Sequence, residues 1–233
     1  SKYSQFFVFI IFGIILNLAF VRQVFCYDTN IAHPGIAELA VKQYNQNNSQ
    51  KISVEQLGWI KYGAVNEDEP TRWLNHFYDT IYNRGLYFGK QHDSAKVWAK
   101  DSAKQTEYSQ GDNSWQRAIN DFRKGNEELA FKGLGHNIHL VSDMLVPAHT
   151  RDSIHAVPPD SYESYVKNNW DNVSKNIKGD LIDKNSLEDI FDEAAKYSNG
   201  NFYSDKTIES NKYKINNVDQ FLKVDTKNFK IQL

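Results

Sequence analysis

Residues 136–149 read HNIHLVSDMLVPAH, which spaces His139, Asp143 and His149 as H-x3-D-x5-H. On an α-helix, residues four apart lie on one face a turn from each other, so His139 and Asp143 can grip a single divalent ion. Pro147 removes a backbone donor and ends or kinks that helix, so His149 leaves in a different direction and can serve a second ion nearby. Seven histidines occur in the chain. Five of them, His33, His76, His139, His149 and His155, share a segment with an acidic residue: Asp28, Asp68 or Asp79, Asp143, Asp152 and Glu163. Imidazole and carboxylate without thiolate is the donor set of hydrolytic zinc sites, whereas structural zinc fingers use cysteine.

The scaffold that must position these residues is bounded by composition. With 233 residues, 40% of them hydrophobic, the chain can bury one sizeable core, and one domain is expected. Trp59, Trp73, Trp98, Trp115 and Trp170 are spread through it, and packing is the expected use for most of them. A net charge of −2, with no lysine or arginine block, excludes a groove that tracks long nucleic acids through their phosphates.

Lys2 precedes the apolar run 6–20, and Val24 and Cys26 occupy the two positions that a signal peptidase reads before Tyr27. Residues 1–26 therefore read as a signal peptide and the protein as secreted, periplasmic or otherwise extracytoplasmic. The run is shorter than the ~20 residues of a spanning helix, so a retained anchor is the lesser reading. The sequence opens without methionine, and its true start is expected to lie upstream. Cleavage after Cys26 removes the one cysteine, leaving bound metal rather than disulfides to reinforce the fold.

Apolar periodicity predicts a mainly α, multi-helical chain. Helices are expected from 33 to about 46, with Pro34 in the first turn, and over 54–62, 72–82, 94–108, 114–124, 127–145, 161–177 and 186–197. Gly63, Gly125, Gly133 and Gly200 read as breaks or caps. Strand signals are few, and 213–233 reads as a short hairpin or a loose end.

Residues 134–149 resemble the central motif of the zinc-dependent phospholipase C family, whose fold is shared with single-strand-specific zinc nucleases. Residues 63–68 followed by 75–79 (NHFYD) resemble the family's second block, His155 with Tyr162-Glu163 its fourth, and His33 its first. The four blocks occur in order over roughly 27–165. The resemblance implies a multi-helical single domain, placed at 27–200 with a tail at 201–233, holding three Zn2+ ions in a cleft. Carried across, Asp68, His76, His139 and Asp143 would hold the first ion, and His149, His155 and Glu163 the second. Tyr27 through its backbone, His33 and Asp143 would hold the third. Asp68 is chosen over Glu67 and Glu69 on the motif alone. A free α-amine titrates near pH ~8 and can donate a lone pair, so removal of the signal peptide would complete the site. Tyr27 departs from the tryptophan of the best-known members, and the segment 156–162 (AVPPDSY) is longer than their single helical turn.

The activity implied is phosphodiester hydrolysis, with zinc activating water for in-line attack and Asp68 orienting it. A phospholipid or small phosphodiester is the expected substrate, with some contact to a membrane surface. Single-stranded nucleic acid is the alternative substrate, and a non-catalytic zinc-holding module the alternative function; no obligate protein partner is evident. His136 is expected to support a ligand or to pack, His92 has no ligand role, and Asp79 and Asp152 are candidates to orient ligating imidazoles.

Overall fold

The computed structural model describes residues 30–155, 159–177 and 186–215. Tyr27, the signal segment and the tail beyond 215 lie outside the described residues. Among the described residues the fold is mainly helical, as expected. α1 spans Ala32–Asn47, α2 Val54–Asn66, α3 Ala95–Trp98, α4 Ser102–Gln105 and α5 Trp115–Arg123. α6 spans Glu127–Asp143, α7 Pro147–Thr150, α8 Ser161–Asn168, α9 Trp170–Asn176 and α10 Leu187–Asn201. No helix of the described residues is long and apolar enough to cross a membrane.

Local chemistry explains most of the boundaries. Ser53 and Gln56 form a reciprocal capping box at the start of α2, and Ser94, Asp101, Ser114, Asp160 and Ser186 accept backbone N–H groups at the starts of α3, α4, α5, α8 and α10. Gly125 follows α5 at φ 80°, the left-handed conformation that a helix terminus favours in glycine. Pro147 opens α7 at a first-turn position, where its missing N–H costs nothing.

Three expectations fail, each for a tertiary reason. The helix expected over 72–82 is only a 3-10 turn, Arg72–Asn75. Beyond it the backbone bonds elsewhere: Tyr78 N–H donates to the His149 carbonyl, and Asp79 and Arg84 bond reciprocally to close a turn. The helix expected over 94–108 is split at Ala99–Asp101 into α3 and α4, after a small antiparallel hairpin of β1 (Tyr87–Phe88) and β2 (Lys90–Gln91). The helix expected over 161–177 breaks at Asn169, whose φ of −122° separates α8 from α9.

The glycines also act differently from the expectation. Gly63 and Gly133 lie inside helices, as does Gly200, and do not end them. A Cβ on Gly63 would sit 2.0 Å from the Lys132 carbonyl oxygen, and one on Gly135 2.0 Å from that of Ile60. Both positions let α2 and α6, the most extensively packed pair, cross with their backbones nearly touching. Ile60, Ala64, Ala37 and Val41 seal one side of this crossing. Trp98, Leu140, Met144 and Phe191 form the main core with Tyr78 and Leu187. Residues 202–215 fold back onto this body: the buried Arg151 donates to the Asn199 carbonyl and Thr207 Oγ1, and Tyr213 OH donates to Asp79 Oδ2 at 2.6 Å.

Candidate metal centre

Eight of the nine ligands anticipated from sequence lie in the described residues, and their donor atoms converge. Three groups form with all donor atoms within 4.8 Å of one another: His33, His139 and Asp143; Asp68, His76 and His139; His149, His155 and Glu163. Asp143, fully buried at the end of α6, joins the first two. Its Oδ2 lies 3.1 Å from His76 Nδ1 and 3.3 Å from His139 Nε2, while its Oδ1 lies 3.6 Å from His33 Nε2. One carboxylate thus faces two sets of imidazoles with its two oxygens. Asp68 Oδ1 stands 3.5 Å from both His76 Nδ1 and His139 Nε2. In the remaining group, Glu163 reaches His149 Nε2 at 3.5 Å and His155 Nε2 at 3.2 Å.

The other ring nitrogens fix these orientations. His139 Nδ1 donates to the Ala64 carbonyl at 2.6 Å, which the glycine-mediated crossing of α2 and α6 brings within reach. His149 Nδ1 donates to the His76 carbonyl at 2.9 Å and His155 Nδ1 to that of Ser153 at 2.8 Å. Ser142 uses its hydroxyl proton on the His139 carbonyl at 2.8 Å, so its oxygen must accept from His33 Nδ1 at 2.9 Å. In all four rings Nδ1 is engaged by a protein oxygen and Nε2 is the nitrogen turned toward the cluster. His76 is reversed: Nδ1 faces the cluster, and Nε2 lies 3.5 Å from Glu67 Oε1.

Glu67 is the residue that sequence reasoning missed. Fully buried beside Asp68, it accepts from Arg72 Nε at 3.0 Å, Arg72 Nη2 at 2.8 Å, Trp98 Nε1 at 2.7 Å and His136 Nδ1. Burial alone would raise its pKa, but the Arg72 guanidinium and His136 outweigh burial and hold the carboxyl well below the usual range. Thus Asp68 faces the histidines and Glu67 backs them. His136 has the supporting role expected of it. Asp79 and Asp152 do not touch a ligating imidazole: Asp79 caps the turn at Ile81 and accepts from Tyr213, and Asp152 accepts from Arg84 and the Tyr87 N–H. His92 turns its Nε2 to the Phe88 carbonyl.

The electrostatics divide the imidazoles. Burial lowers His33 and His149 well below their ordinary value, keeping them neutral. Burial also opposes charge on His76 and His155, but Asp143 and Glu67 lift the first to about 10 and Glu163 lifts the second to about 9. Burial pushes Glu163 up to about 7 despite His155. The donor set passes a test of fit to a cation. His76 Nδ1, His139 Nε2 and both Asp143 oxygens are buried and make no hydrogen bond in the protein. An unsatisfied buried polar atom costs roughly 1–3 kcal/mol, and divalent ions held on the two sides of Asp143 would satisfy all four. His139 Nε2 can bind only one ion. Assigned with Asp68, His76 and Asp143, it leaves His33 and Asp143 for another ion that needs further donors.

No protein-family model matches the chain, and no curated protein does. Solved structures do. The chain is similar to the alpha-toxin of Clostridium perfringens isolated from avian strain SWCP, at 18% identity and a TM-score of 0.48, over 74% of this chain and 52% of that one. It is similar to the alpha toxin of Clostridium absonum at 19% identity and a TM-score of 0.46, over 75% of this chain and 52% of that one. The chain spans about half the length of these two toxins.

Proposed function

We propose that the protein is an exported zinc-dependent phosphodiester hydrolase of the phospholipase C and zinc nuclease type, acting on phospholipid or a small phosphodiester. The observation that carries this reading is Asp143 presenting one oxygen to His76 and His139 and the other to His33, with His149, His155 and Glu163 forming a further group alongside. Adjacent multi-ion sites built from imidazole and carboxylate are the chemistry of hydrolases that attack phosphorus. In this reading Asp68, His76, His139 and Asp143 hold one zinc, His149, His155 and Glu163 a second, and His33 and Asp143 a third, completed by the backbone of Tyr27 after removal of residues 1–26. Bound zinc supplies Lewis acidity, polarising a phosphoryl oxygen and lowering the pKa of water toward neutrality.

The chain's own residues supply the rest. Asp68 has the more open setting of the two shared carboxylates and orients attacking water by accepting its hydrogen bond. Glu67, Arg72 and Trp98 keep the wall behind His76 rigid and dry. The experiment is hydrolysis of a chromogenic phosphodiester by protein beginning at Tyr27, abolished by chelator and restored by zinc. Under identical zinc, phosphatidylcholine vesicles should be turned over faster than single-stranded oligonucleotides. Faster cleavage of oligonucleotides would identify the nuclease, and a zinc-replete protein without turnover on any of the three a binding module.

A further inference from the structure

Four large apolar side chains stand exposed on two adjoining turns beside the cluster: Ile81 and Tyr82, at 50% and 47% exposure, and Tyr87 and Phe88, at 59% and 53%. Asp152 ties the two turns to one base, accepting from Arg84 Nη2 at 2.9 Å and from the Tyr87 N–H at 3.2 Å. It lies three residues beyond His149. Phe88 also approaches Trp73, three residues before His76, with ring centroids 6.1 Å apart. The two turns are therefore anchored on the segments that carry His149 and His76.

These tips are built to stay exposed. Gln91 Nε2, with two protons to donate, lies within hydrogen-bond reach of the carbonyls of Gly85, Leu86 and His92, and Gly89 turns the hairpin at φ 68°, so the base of the tip is tied to its own chain. Segment 80–92 contains no acidic residue and carries Arg84 and the exposed Lys90. Arg84 stacks on the Tyr82 ring at 5.0 Å. With Arg84 paired to Asp152 at the base, the tips present tyrosine and phenylalanine beside the exposed Lys90, which matches the headgroup region of a bilayer, where aromatic rings sit at the edge and lysine is attracted to phosphates. The aliphatic Ile81 and the lack of a basic groove favour lipid over single-stranded nucleic acid.

We propose that Ile81, Tyr82, Tyr87 and Phe88 form a lipid-docking lip that seats the rim of the site on an anionic phospholipid surface. Its use in delivering a lipid substrate rests on the phosphodiesterase reading, whereas its affinity for vesicles does not.

The test is co-sedimentation of zinc-loaded protein beginning at Tyr27 with phosphatidylcholine vesicles containing phosphatidylglycerol, run beside turnover of a soluble chromogenic diester. The double variant Tyr87→Ser, Phe88→Ser should bind vesicles roughly tenfold more weakly or worse while retaining soluble-ester turnover. Lys90→Glu should weaken binding to anionic vesicles and leave binding to pure phosphatidylcholine unchanged. Vesicle binding by the double variant equal to that of the parent would overturn the lip. So would lost oligonucleotide binding with vesicle binding intact, or a dimer that the double substitution dissolves. A protein that docks without hydrolysing either substrate keeps the lip and loses the enzyme.

Discussion

The two halves of the candidate site are built differently. Around Asp143, the donors come from α1, from α6, from Asp68 just past the end of α2 and from His76 just past the 3-10 turn, with His139 and Asp143 one turn apart on a long helix and the His139 ring pinned by the Ala64 carbonyl of a helix packed almost in backbone contact. Around Glu163, the donors come from the four-residue α7, from a loop and from the first turn of the short α8, with Asp160 rather than a long helix setting the register. The first half owes the placing of His33, His139 and Asp143 to helices and their close packing, with Asp68 and His76 added from the turns that follow α2. The second owes its geometry to capping and turns. The first half should therefore fail as a unit, and the second one ligand at a time.

The sharpest way to break this comparison is at Asp143. Asp143→Asn removes the carboxylate shared by two sets of imidazoles, so zinc content should fall by two ions and turnover by about two orders of magnitude or more. Metal analysis of the purified variant checks this, and the loss of one ion alone would show that the carboxylate is not shared. Glu67→Gln should come next. It leaves Arg72 buried without its charge partner, and breaking such a pair costs about 3–5 kcal/mol, read in denaturant titrations of the zinc-loaded protein. His155→Ala should remove one ion and leave the fold intact, because the group around Asp143 does not draw on it. Zinc uptake should also be coupled to pH. His76, lifted to about 10, carries a proton at neutrality that an arriving ion must displace. Apparent zinc affinity should rise with pH toward that value, and calorimetry in buffers of different ionisation enthalpy should register the released proton.

What was legible in the sequence follows the same division. The H-x3-D spacing could be read because a helix imposes it, and α1, α2, α5, α6 and α10 could be read because each shows apolar periodicity or a cap of its own. The segment 72–92 could not, since its backbone bonds to the His149 carbonyl and to its own turns, partners that no local pattern reveals. Glu67 was hidden among three consecutive acidic residues. Only Arg72, Trp98 and His136, 5 to 69 positions away, distinguish it from Asp68. Gly63 and Gly135 carried an ambiguous signal, because a glycine that permits helix crossing looks in sequence like one that ends a helix. Asp79 and Asp152 were plausible partners for imidazoles by proximity along the chain, but the turns between 79 and 92 needed them more.

The central claim is that the donors around Asp143 and Glu163 hold metal in one compact cluster. Anomalous diffraction at the zinc edge, from crystals of protein beginning at Tyr27 grown with zinc, tests it most directly. We expect separate peaks bonded to Asp68, His76, His139 and Asp143, to His33 and Asp143, and to His149, His155 and Glu163. An anomalous map empty at these side chains, with the rings hydrogen-bonded among themselves instead, would contradict the account.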